Sequence, residues 1–338
     1  MDAKRTERLG LTPLGRGMWP LRYRVDAIPL FVGLSCLAAN SYILLQWPLL
    51  SIGDRILSLL VMGIVLRMIN VIHHNHIHVP VFQSDVLNWL LNIGFGMVDA
   101  IAPLTFRIKH CKNHHSYHHA PEDWNSPYIF EGGSFPDKPV HPLYYLFTFE
   151  IMAQANSLIE CTKMGPKVLG RLIVEQYLWT YGHGFVLYGL GYIDFVPMLL
   201  ILFSHRLSAV VLAFANIIHH GGRNGRDRND IANTDLSLSG TAIHFNVGYH
   251  AAHHLDARVH WAQLPEYHEK FVVPNYPKAI HGDETSKNRR LYLQLFEDYH
   301  LMSVCVWFLA KAINWCTYAS RVDGFEFAAN ASAAGLEL

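Results

Sequence analysis

Residues 110–123 read HCKNHHSYHHAPED, from His110 to Asp123, and five of these fourteen are histidine. A lipid-facing helix holds ionisable rings only at high cost. Neutral imidazole is the commonest protein metal ligand, so the stretch reads first as a metal site. The plainer reading is a polar, partly exposed helix that is simply His-rich. Two more clusters weigh against it: HHNHIH at His73–His78 and NVGYHAAHH at Asn246–His254. A fourth, smaller group, His219–His220, closes an apolar run.

Working outward, the composition is that of a membrane protein with polar parts between its spans. The chain has 338 residues, 51% hydrophobic and 16% charged, against about 25% charged in an ordinary soluble domain. A formal net charge of +0 argues against a nucleic-acid partner held by bulk charge. Cys36, Cys111, Cys161, Cys305 and Cys316 are odd in number and lack CxxC spacing. They predict neither a disulfide framework nor a zinc ribbon.

The hydropathy pattern predicts an all-α membrane protein with four transmembrane helices, over about residues 27–47, 49–72, 172–190 and 195–218. Some 20 apolar residues span a bilayer as a helix. Lys4, Arg5, Arg8, Arg16, Arg22 and Arg24 precede the first span. They put the N-terminal segment, residues 1–24, in the cytosol, and the first apolar run comes too late for a cleaved signal peptide. Residues 25–320 then form one integral-membrane domain, with 321–338 as a flexible tail and both termini cytosolic. The cytosolic helical cap comprises 73–171 and 219–298, so every histidine cluster meets the same membrane face. Residues 86–104, with Asp99 and Pro103, read as a helix lying partly in the interface. Leu143–Ile159 and Leu301–Trp315 read as interfacial helices, and 120–142, rich in Pro and Gly, as a loop. Glu175, His183, His205 and Arg206 are ionisable groups inside the second hairpin. Such residues face a bundle interior or water.

The spacing of the histidines narrows the chemistry. His74 and His78 lie i, i+4, on one helix face. A zincin HExxH would need Glu where Asn75 stands, so a metalloprotease loses its general base. His250, His253 and His254 span an arc of only about 100° at about 100° per residue. In the middle cluster two sets compete: His115, His118 and His119 make the tighter arc, and His110, His114 and His115 a wider one. At the end of the last span, either His219 or His220 is available. Two, three, one and three ligands exceed what one ion takes. Nearly pure imidazole, with far more ligands than a zinc hydrolase uses, fits two redox irons better. Glu122, Asp123, Asp99 and Asp256 are candidates to orient ring N–H groups and supply negative charge.

These motifs resemble the membrane fatty acid desaturase and hydroxylase superfamily, which includes alkane monooxygenases. The likeness covers roughly residues 25–275. HHNHIHVPVFQSDVLN resembles the first-box region of acyl desaturases. HCKNHHSYHHAPED resembles the second box of alkane monooxygenases, where HxxxHH is followed at the same offset by Pro-Glu-Asp. NVGYHAAHH resembles the third desaturase box, and Asn216-x-x-x-His220 matches both branches. The resemblance selects His110, His114 and His115 over His118 and His119, and His220 over His219. It implies that His74, His78, His110, His114, His115, His220, His250, His253 and His254 bind two iron ions and are the catalytic set. It further implies dioxygen as co-substrate and an apolar chain in a tunnel beneath the metals.

The expected activity is therefore a non-haem di-iron oxidoreductase of the fatty acid desaturase type, acting on a fatty acid or fatty acyl chain, with desaturation foremost. Oxidative decarboxylation of a free fatty acid to a terminal alkene, acetylene formation and terminal hydroxylation are the alternatives within the fold. With neither a b-type cytochrome domain nor a ferredoxin-like Cys pattern, the expected electron source is a separate protein, such as a ferredoxin with its reductase. Membrane lipid is the other expected partner. A membrane metal transporter is the competing class, but its ion sites belong near the midplane at broken helices, whereas these clusters fall at span ends and in a cap.

Overall fold

The computed structural model describes residues 20–118, 120, 122–126, 128–129, 138–139, 142–221 and 231–275. The N-terminal basic run up to Arg16, His119, the cap residues 222–230 and 276–298, the expected helix at Leu301–Trp315 and the 321–338 tail lie outside the described residues. The described part is helices joined by turns and loops, with one two-residue antiparallel pairing of Tyr128 with Pro139 and Ile129 with Lys138 and one isolated bridge between Leu21 and Phe82. It falls into two compact units, one drawn from Met1–Ser116 and Leu146–Ala213, the other from Tyr117–Tyr145 and Phe214–Leu338.

In the first unit, α1 (Ala27–Gln46) and α2 (Ile52–His78) form a hairpin turned at Trp47–Leu49. Pro48 ends α1 because a proline nitrogen has no proton to give the helix ladder. Ser51 then starts α2: its Oγ accepts from Asp54 N at 3.2 Å, a cap worth about 1 kcal/mol. The helix does not stop at 72. It runs to His78, so the first histidine cluster occupies its last two turns rather than a segment beyond it. Ile43, Leu44, Trp47 and Met62 pack with Ile193, Met198 and Ile201 into an apolar core.

Capped by Ser84, α3 (Asp85–Asp99) follows. It bends by 88° into α4 (Pro103–Tyr117). The apolar run expected over 86–104 is thus α3 plus the bend. Pro103 disfavours helix at the residue before it, and Ala102 is extended at ψ 155°. Within α4, Arg107–His114 wind as a π-helix. After α5 (Pro142–Met164) comes α6 (Pro166–Leu172), which runs into a second π-helical stretch, Ile173–Tyr181. Then comes α7 (His183–Gly189). The run expected as a single span over 172–190 is built from these pieces. The long α8 (Phe195–His220) starts within the first unit and ends within the second, where α9 (His250–Leu255) carries the third cluster.

Among the described residues, three helices are long and apolar enough to cross a membrane: Arg24–Leu49, Ile52–His78 and Phe195–His220; the bent pair α3–α4 would make a fourth if it counts as one span. Their outer faces carry large apolar side chains: Phe31 in α1, Leu60 and Ile64 in α2, Phe203 in α8 are all exposed. Water penalises such a surface, whereas hydrocarbon does not. The interior is correspondingly polar for a membrane bundle. Asn70 Nδ2 donates to Ser208 Oγ at 3.0 Å, and Ser208 Oγ donates to the Asp99 carbonyl at 2.9 Å.

Candidate metal centre

In the first unit, α2 supplies His74 and His78, one turn apart with ring centroids 5.1 Å apart. The π-helical part of α4 and the residue after it supply His110, His114 and His115. A π-helix closes i→i+5 hydrogen bonds, so residues four and five apart stack on one face. His110 therefore lies 5.3 Å from His114, nearly parallel, and 4.7 Å from His115. The wider arc calculated from regular α-helical winding does not apply here. Single π turns of this kind occur often at functional sites.

The ring nitrogens converge. His74 Nε2 lies 2.9 Å from His110 Nε2, and His115 Nε2 lies 3.2 Å from the same atom. His74, His78 and His110 each bring one ring nitrogen within 4.8 Å of the others'. His78 rings sit 4.9 Å from His110 and 4.7 Å from His115. Phe106 flanks this group, 5.5 Å from His110 and 6.3 Å from His74.

The second unit repeats the arrangement with other residues. His250 Nε2 lies 3.1 Å from His220 Nε2 and 3.1 Å from His254 Nε2. The rings of His220 and His254 are 4.7 Å apart and perpendicular. His253 is on the same short helix, 5.6 Å from both His250 and His254. His220 Nδ1 donates to the Ile231 carbonyl at 3.0 Å. That bond puts the proton on Nδ1 and leaves the Nε2 lone pair facing its neighbours, which is how a second partner orients a metal-ligating histidine.

One ring nitrogen can share only one proton. Both His110 Nε2 and His250 Nε2 face two other ring nitrogens, a geometry that a shared cation would suit. With metal–nitrogen bonds of about 2.0–2.1 Å, two ligands at right angles on one ion lie about 3 Å apart. The observed spacings match. Six of the nine expected residues are buried at 8% exposure or less, and His74, His78 and His115 are intermediate.

 The buried six are thus His110, His114, His220, His250, His253 and His254, and the remaining three are partly exposed.

A family model for fatty acid desaturases matches residues 54–285, which takes in every one of these histidines. The chain belongs to the fatty acid desaturase family. Membership makes it an oxidoreductase of the fatty acyl type, consistent with its long apolar helices. A search of curated proteins finds no match.

Several features of this desaturase-family protein lay beyond sequence reasoning. His118 follows the end of α4 with φ at +34°, and its ring lies 5.2 Å from that of His254 in the second unit. His219 lies 4.3 Å from His250, closer in ring distance than His220 at 4.9 Å, although it is His220 whose Nε2 meets the His250 Nε2. His73 Nδ1 donates to Asp99 Oδ2 at 2.9 Å, so Asp99 orients a histidine, but one outside the expected nine. Asp256 Oδ1 accepts from Arg258, and Asp123 Oδ1 from Asn125 N. Glu122 is exposed. His76 ties the end of α2 to the following loop: its Nδ1 accepts from Val81 N at 3.1 Å, and its Nε2 donates to the Asn88 carbonyl at 3.3 Å. The amide of Asn216, singled out by its spacing from His220, donates to Tyr145 Oη and to the Asn125 carbonyl.

Proposed function

We propose that this desaturase-family protein is a dioxygen-dependent di-iron enzyme that introduces a double bond into a fatty acyl chain. His74, His78, His110, His114, His115, His220, His250, His253 and His254 hold the two irons. It is a multi-pass protein of four spans, with its metal site and both termini on the cytosolic side and a helical cap over the histidines. The single observation that carries the reading is the convergence of ring Nε2 atoms on His110 in one unit and on His250 in the other, at spacings suited to ligands of a shared cation.

When bound, the irons supply the oxidising power that no side chain offers for an unactivated carbon chain. The overall change removes two hydrogens from adjacent carbons and reduces dioxygen to two waters, with two protons from solvent and two electrons from a separate donor such as a ferredoxin with its reductase. The protein's part is placement. The Ile231 carbonyl holds the proton of His220 on Nδ1 and so keeps Nε2 available. Buried Phe106 keeps an apolar wall against His73, His74 and His110. A chain held in one orientation exposes one pair of carbons to oxidation.

The test is to express the full chain in membranes, supply fatty acids with and without dioxygen, and identify products by gas chromatography–mass spectrometry. An internal alkene of unchanged chain length, formed only with dioxygen, is the expected result. A terminal alkene one carbon shorter would replace desaturation by decarboxylation. Metal binding without dioxygen consumption would sink the enzyme reading.

A further inference from the structure

The 88° bend between α3 and α4 decides where His110, His114 and His115 point. Breaking a helix there leaves backbone groups without helical partners. Side chains take them up one by one. Ile101 N donates to Asp99 Oδ1 at 3.1 Å, Ala102 N to Gln176 Oε1 at 3.0 Å, and Leu104 N to Glu175 Oε2 at 3.0 Å. Gln176 Nε2 donates back to the Ala100 carbonyl at 2.8 Å. Asp99, Glu175 and Gln176 are 1%, 2% and 0% exposed.

Asp99 and Glu175 are also tied outward. Asp99 Oδ2 accepts from His73, the residue before His74, and its carbonyl accepts from Ser208 of α8. Glu175 Oε1 accepts from Trp89 Nε1 at 2.8 Å and Arg171 Nε at 2.6 Å. Ala100 is held at φ +70°, a left-handed conformation that favours glycine. Gly96 lets the bend come close: a Cβ there would lie 2.8 Å from the Ile101 carbonyl oxygen. Apolar side chains could fill this space, but acceptors aimed at the freed amides permit one bend geometry and disfavour others.

We propose that Asp99, Glu175 and Gln176 form a buried clasp that aims α4, and that they are positioning residues for the iron site. Through His73, the Asp99 carboxylate also fixes the end of α2 beside His74. The proposal rests on the reading of these histidines as iron ligands.

The test uses the full chain in detergent, comparing wild type with Gln176→Ala, Asp99→Ala and Asp99→Asn. Three readouts are taken: hydrogen exchange over residues 100–104, the Mössbauer spectrum of the iron, and product yield. In Gln176→Ala and Asp99→Ala, exchange protection at the bend is lost while that of α1 is kept. The iron spectrum shifts, and yield falls about 10–100-fold, the usual effect of removing a group that orients ligands. Asp99→Asn keeps Oδ1 for Ile101 N, and its amide donates to His73 Nδ1 with the ring tautomer reversed. It should therefore restore protection, spectrum and most of the yield. Alanine variants with wild-type spectrum and yield overturn the clasp, as does an Asn variant as damaged as the Ala one, which would point to charge rather than placement. If the alanine variants fail to fold, Asp99→Asn and Ser208→Ala decide. Wild-type-like Asp99→Asn with a shifted spectrum in Ser208→Ala supports the clasp, and an unshifted Ser208→Ala overturns it. Wild type lacking iron and dioxygen-dependent product overturns the functional reading and the clasp's role with it. A wild type that has both, with unresponsive variants, overturns the clasp alone.

Discussion

His110 and His250 each present one Nε2 to two other imidazole nitrogens, and these two side chains make the strongest argument for a cation. Alanine at His250, His253 or His254 should remove iron and abolish turnover while the protein stays in the membrane, because the spans are held by their own packing. Iron content and product yield of membrane-extracted protein check this, and a variant that keeps full activity leaves the ligand set. The middle cluster allows a sharper contrast. His110→Ala should lose metal and nearly all activity. His118→Ala, at a partly exposed residue beyond α4, should lose activity by about 10–100-fold and keep most of its iron. If His118→Ala loses iron and His110→Ala retains it, the set His115, His118 and His119 replaces the one preferred here.

At the scale of elements, the π-helical Arg107–His114 segment puts His110, His114 and His115 on one face. Regular helical winding had favoured His115, His118 and His119. Constant 100° steps fail where the winding widens, so periodicity alone was unable to choose, and the flanking Pro-Glu-Asp resemblance pointed to the other set. The bend before α4 makes a second prediction. Gly96→Ala drives a Cβ against the Ile101 carbonyl. It should cost about 1–3 kcal/mol, the usual range for overpacking. Thermal unfolding in detergent reads this directly, and an unchanged midpoint would show that the bend yields freely.

For the whole molecule, the exposed apolar faces on α1, α2 and α8 suit a hydrocarbon surround. The protein should remain in the membrane pellet after alkaline carbonate extraction, and release into the supernatant would argue against spanning. Purified protein should carry about two irons, since nine imidazoles exceed one ion's needs. Elemental analysis beside an activity assay tests this, and an active preparation holding only zinc would end the di-iron proposal.

Hydropathy and histidine spacing by themselves pointed to the helical membrane class and the histidine clusters, and the resemblance of the motifs around those histidines pointed to the desaturase family. Each of these is written in short stretches: some 20 apolar residues make a span, and HxxxH or HxxHH puts ligands on one helix face. Only the tertiary structure decided how the apolar runs break, that α2 continues to His78, and where α4 bends. It also decided that His74 meets His110 and that His250 meets His220. These pairings join residues 36 and 30 positions apart. No local period encodes them, because residues so far apart in the chain become neighbours only once the helices have packed, as do the partners of Asp99, Glu175 and Gln176 at the bend.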